Sequence, residues 1–110
     1  MLDFHLGTGG IEDQGEHLGG ISMEEMEWLQ KNNFLIQGKT GHSDDHPESI
    51  PYFDDTILSL AQVKNINSKF QTRLEEALKT KGFNHSGVNK LKTILEKAIN
   101  QKQGLSTIAD

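Results

Sequence analysis

The chain has 110 residues, with 16 Asp and Glu against 11 Lys and Arg, a formal net charge of −5, and no cysteine. That length fits one domain over residues 1–110, since domains commonly run about 100–150 residues, and the lack of thiols excludes disulfides, Cys-ligated zinc and thiol catalysis. The negative balance disfavours nucleic acid and anionic membranes as partners, and no apolar run nears the roughly 18–20 residues of a membrane span.

Met1-Leu2-Asp3-Phe4-His5 lacks the basic and apolar regions of a secretory signal, so a small soluble, cytoplasmic protein is expected. Residues 6–20 are rich in glycine. Gly7-Thr8-Gly9-Gly10 has neither the Lys-Ser/Thr of a phosphate-binding loop nor the spacing of a dinucleotide fingerprint, and Glu12, Asp13 and Glu16 would repel phosphate. These glycines read as tight turns with positive φ. His-Leu-Gly occurs twice, at 5–7 and 17–19, an echo too short to be a structural repeat.

Ser22-Met23-Glu24-Glu25 is a capping box, with Ile21 and Met26 as its hydrophobic staple, and predicts a helix running to about Asn32. Phe34-Leu35-Ile36 is too short to assign, and residues 37–51 read as an exposed loop. Ser59 and Gln62 form a second capping box, stapled by Leu58 and Val63. Leu60, Val63, Ile66, Phe70, Leu74, Ala77 and Leu78 then recur at spacings of three and four, predicting a helix over residues 60–81. Gly82 supplies its left-handed cap, with Phe83 folding back on Leu78. A further helix, capped by Ser86 or Asn84, carries Val88, Leu91, Ile94, Leu95, Ala98 and Ile99 on one stripe and ends at Gly104. The short turn between these helices predicts an antiparallel hairpin, and residues 105–109 read as a short extended tail packing back on the core. The fold class expected is mainly α, a C-terminal helical hairpin with a loop-rich, Gly-rich N-terminal part.

Charge divides along the chain. Residues 1–55 hold twelve acids against Lys31 and Lys39, a formal −10, whereas residues 56–110 hold nine Lys and Arg against four acids, a formal +5. One reading is that the two halves attract each other within the fold. The other is that the acidic half faces a basic partner, with salt-sensitive steering of association.

Four constellations bear on chemistry. His42 and His46 flank Asp44 and Asp45, a donor set that suits Zn²⁺ or Ni²⁺, with His5 or His17 as a third ligand. Gly41 and Pro47 bracket them, however, and argue against the helix that would align them, so an exposed polar loop without a metal is expected. The histidines and carboxylates also admit acid–base chemistry, but no nucleophile elbow or comparable active-site segment is present. Trp28 among Glu24, Glu25 and Glu27, and Tyr52-Phe53 before Asp54-Asp55, either complete the core or form aromatic anchors ringed by acids.

Gly15-Glu16-His17-Leu18-Gly19-Gly20-Ile21-Ser22 leading into Glu24 to Leu29, Tyr52 to Ser59 with Gln62-Val63, and Gly104 to Asp110 resemble segments of small bacterial immunity proteins. These belong to polymorphic toxin and contact-dependent growth inhibition systems, and the resemblance extends to partners of ribonuclease A-like toxins. It implies a non-enzymatic cytoplasmic inhibitor that binds the C-terminal domain of a cognate toxin. A nuclease toxin is basic because it binds phosphates, and an acidic inhibitor gains association rate against it. From the acidic and aromatic clustering, the toxin-binding residues expected are Glu24, Glu27, Trp28, Asp44, Asp45, Asp54 and Asp55. No catalytic residue, metal or cofactor is assigned, and oligomeric state is left open. The alternative is a small metal-dependent or acid–base hydrolase using His5, His17, His42 and His46.

Overall fold

The computed structural model describes residues 1–35, 50, 55–79 and 85–109. Its elements in chain order are β1 (Leu2–Leu6), β2 (His17–Ile21), α1 (Met23–Lys31), β3 (Thr56–Leu58), α2 (Leu60–Leu78), α3 (Ser86–Asn100) and β4 (Leu105–Ala109). The strands form one antiparallel sheet in the order β2-β1-β4-β3. The fold is therefore mixed α/β, and the expectation of a mainly α domain is corrected. β1 does alternate apolar and polar residues from Leu2 to Leu6, a strand signal that the reading of the N-terminus as a non-signal segment passes over, but the other strands are weaker. β2 contains Gly19 and Gly20, residues depleted in strands, and its register with β1 shifts between Phe4 and His5. β3 has only three residues. Residues 105–109, expected as a short extended tail packing back on the core, are extended and lie inside the sheet, paired with both β1 and β3.

The helices follow their local signals. Ser22 Oγ accepts from the Glu25 N–H at 3.2 Å, while Glu25 Oε1 accepts from the Ser22 N–H at 3.0 Å. The Ser59–Gln62 pair repeats this reciprocity at 3.2 and 2.8 Å. The residues expected to staple the two helices, Ile21 and Met26 and Leu58 and Val63, are all buried in the core. Helix α1 stops at Asn32, with Asn33 at φ 65°. Helix α2 ends at Leu78 rather than residue 81, and the Gly82 and Phe83 cap falls outside the described residues. His85, not Ser86, caps α3, its Nδ1 accepting from the Gly87 N–H at 3.1 Å.

Gly104 is not a helix terminator. Helix α3 ends four residues earlier, and Lys102 at φ 55° takes the left-handed position. Glycine is required at 104 because a Cβ there would lie 2.1 Å from the Leu58 carbonyl oxygen. This close approach brings the start of β4 alongside β3.

Leu2, Phe4, Leu58 and Leu105 point from the sheet into a core shared with Phe70 of α2 and Leu91 and Leu95 of α3, all fully buried. Helices α2 and α3 pack on each other. No helix among the described residues is long and apolar enough to cross a membrane. Strand alternation sends Asp3, His5, Ile57 and Ser106 to the opposite side of the sheet from this core.

Gly104→Ala is expected to lower the free energy of unfolding by about 2–4 kcal/mol, because backbone must move to admit the methyl group. Ser59→Ala should lower it by about 1 kcal/mol through loss of the cap. Urea unfolding measures both, and a Gly104→Ala chain as stable as wild type would contradict the close approach.

Candidate functional site

Two surfaces carry the acids that the sequence singles out. On α1, Glu24 and Glu27 are exposed. Glu25, between them, turns inward instead. Its carboxylate accepts from the Ser22 N–H, from Ser86 Oγ at 2.7 Å and from Lys90 Nζ at 3.1 Å, binding α1 to the first turn of α3. Burial alone would raise its pKa, but the Ser22 N–H, the Ser86 hydroxyl and the Lys90 ammonium together lower it from 4.5 to about 2.

Trp28 is a packing residue. Its ring stacks on His85 with centroids 3.7 Å apart and an interplanar angle of 11°, and on Phe34 at 5.6 Å. Phe34 continues the chain of rings to Phe70 at 5.6 Å, and the Arg73 guanidinium lies 5.3 Å from its centroid. Arg73 also donates to the Asn32 carbonyl at 2.7 Å, a cation at the C-terminus of α1. Half-buried between these groups, Trp28 completes the core rather than standing out as an exposed anchor.

The second surface is the side of the sheet turned away from the helices. The loop between β1 and β2 folds over part of it. Ser106 Oγ accepts from the Gly10 N–H at 2.9 Å and donates to the Gly7 carbonyl at 2.8 Å. Glu16 pairs with Lys97 of α3. Held in this way, the loop carries Ile11, Glu12 and Asp13 at its exposed turn. A cleft of about 310 Å³ separates it from Asp55, Thr56 and Ile57. Asp55 is exposed, with Oδ1 accepting from the Ala109 N–H at 2.8 Å. A second groove of about 540 Å³ lies between β2 and α3, bordered by Leu18, Gly20, Lys90 and Ile94.

The two His-Leu-Gly segments meet in the β1–β2 ladder. The His5 and His17 rings lie edge to face with centroids 5.0 Å apart, His17 Nε2 is 3.0 Å from Asp3 Oδ1, and His5 Nδ1 is 3.2 Å from the Gly15 carbonyl oxygen. Ser106 sits opposite His5 in the β1–β4 register. It is 1% exposed, and its hydroxyl is engaged by two backbone groups, so it is not disposed as a nucleophile. Among the described residues, no group of three or more His, Asp or Glu is placed to hold a metal ion.

Of the expected contacts, Glu24 and Glu27 share the outer surface of α1, Trp28 is packed, and Asp55 adjoins the cleft at β3. Asp44, Asp45 and Asp54 lie outside the described residues, as do His42 and His46. Sequence reasoning missed Ile11, Glu12 and Ile57 as one group, because only the loop's hydrogen bonds to Ser106 bring them together. It passed over Glu25 as a tie between helices, although the capping box pointed to an inward carboxylate. No protein-family model matches the chain, and neither a curated protein nor a solved structure does so.

A lowered carboxylate pKa stabilises the fold above the unfolded value and loses that contribution as pH falls through the folded one. Glu25 should therefore add stability, at most on the order of 3 kcal/mol, that is present above pH 4.5 and disappears as pH falls toward 2. Chemical denaturation of wild type and Glu25→Gln across pH 2–7 measures this, and the difference between them should shrink in that window.

Proposed function

We propose that this chain is an immunity-type inhibitor that neutralises the basic, nuclease-type C-terminal domain of a cognate toxin by binding it. The observation that carries the reading is the arrangement of charge by layer. Residues 1–21, 55–58 and 104–109, which form the sheet and its loop, contain Asp3, Glu12, Asp13, Glu16 and Asp55 and no Lys or Arg. Apart from Lys79 and Lys102, within two residues of the ends of α2 and α3, the described Lys and Arg residues lie on α1, α2 and α3. Glu24 and Glu27 add exposed carboxylates beside this layer.

A surface of one sign raises the rate of encounter with an opposite one and imitates the charge of a nucleic-acid substrate. Pairing between the oppositely charged halves of the chain accounts for only part of the asymmetry. Glu25–Lys90 and Glu16–Lys97 join them, while Glu12, Asp13, Glu24 and Glu27 form no ion pair among the described residues. The segments that resemble immunity proteins add to the reading, and such an inhibitor acts in the cytoplasm.

Growth rescue tests it. The C-terminal region encoded by the reading frame immediately upstream is expressed with and without this chain. Toxicity that vanishes only in the presence of the chain is the expected result, and an upstream product that is harmless, or toxic regardless, overturns the proposal. With the purified pair, the association rate should fall about tenfold or more between low and high salt, as for electrostatically steered encounters.

A further inference from the structure

We infer that the partner docks on the helix-free side of the sheet, at the cleft between the β1–β2 loop and β3, and presents there an apolar side chain flanked by Lys or Arg. This rests on the reading of the chain as a protein-binding inhibitor and names its surface. Ile11 and Ile57 are 61% and 53% exposed, and both line the cleft. Scattered exposed apolar residues are ordinary, but two exposed isoleucines lining one cleft are apolar surface of the kind found at interfaces.

The charge around this patch selects the partner. Glu12 and Asp55 line the cleft and Asp13 follows Glu12 at the loop turn, with no Lys or Arg on the sheet layer to offset them. A basic surface with a projecting apolar group satisfies both features, and its cations remain at the solvated rim where such pairs guide encounter. At about 310 Å³ the cleft has room for a side chain or two, at the lower limit for small-molecule pockets. The larger groove between β2 and α3 lacks this selectivity, since Lys90 borders it.

The loop is fixed before any partner arrives. Its bonds to Ser106 and the Glu16–Lys97 pair hold the loop that brings Ile11 to the cleft, so little ordering is required on binding.

The test uses two probes. In the first, the isotope-labelled chain is titrated with a synthetic peptide having one leucine between pairs of lysines, and amide shifts are followed by NMR. Shifts concentrated at residues 9–12 and 55–57 are expected, with affinity at least tenfold weaker for the triple variant Glu12→Lys, Asp13→Lys, Ile57→Thr, and no response to a peptide with glutamates in place of the lysines. These positions are exposed, and an unchanged amide spectrum elsewhere verifies that the variant is folded. Shifts centred on α1 or on the β2–α3 groove, or equal affinity for the variant, overturn the proposal. In the second, the same variant enters the growth-rescue assay. Loss of rescue supports the cleft, and full rescue by the variant overturns it while leaving the inhibitor reading intact. Failure of the wild-type chain to rescue rejects the inhibitor reading, and the peptide titration then decides the cleft by itself.

Discussion

The pairing of β4 with β1 is the contact on which the rest of the sheet depends. Every residue of β4 from Leu105 to Ala109 has a partner in β1, and Leu105 to Thr107 also have partners in β3. β2 belongs to the sheet only through β1, and β3 only through β4. Alternation along β4 then assigns its faces. Leu105 enters the core, while Ser106 on the other side gathers the β1–β2 loop through Gly7 and Gly10. That serine, together with the Glu16–Lys97 pair, brings Ile11 and Glu12 to the cleft that Ile57 and Asp55 also line.

Helices were legible because their signals are local. The two capping boxes occupy single turns and form as the spacing places them, and Val63, Ile66, Phe70, Leu74 and Ala77 of the α2 stripe are buried, while Leu78 at its end is 62% exposed. Strands other than β1 were hidden because their justification is distant. Gly20 gives way to Met1, whose Sδ occupies space that a Cβ at 20 would need, and Gly104 gives way to the Leu58 carbonyl. Neither glycine can be told from a turn glycine without knowing its neighbour. Glycines at 7 and 10 do have the positive φ expected of a turn. The aromatic residues divide in a similar way. Trp28, set among three glutamates in sequence, is covered by His85, the N-cap of α3, a contact that no pattern around residue 28 announces.

The division of charge by sequence half acquires a structural meaning when mapped onto layers. Acids of the first half that meet α3 are taken into ties, Glu25 with Lys90 and Glu16 with Lys97. Those on the loop turn and at β3 are left in a layer whose described residues include no Lys or Arg. Internal attraction and an outward acidic face therefore coexist, carried by different residues. Glu25 and Glu16 tie the first half of the chain to α3, whereas Glu12 and Asp13 stay exposed on the loop turn.

Gly7 and Ser106, joined by a hydrogen bond, are 99 positions apart in the chain. Closing so long a loop costs conformational entropy before any compensating contact is made, so pairings of this kind form late. The α2–α3 pair can assemble from neighbouring segments while β1, β2 and β3 still lack the strand that unites them. A hairpin of two five-residue strands is marginal by itself in water, and β1 would meanwhile present an uncovered edge to other chains. The vulnerable period in the life of this protein is thus the interval before its final strand closes the sheet, when aggregation competes with folding.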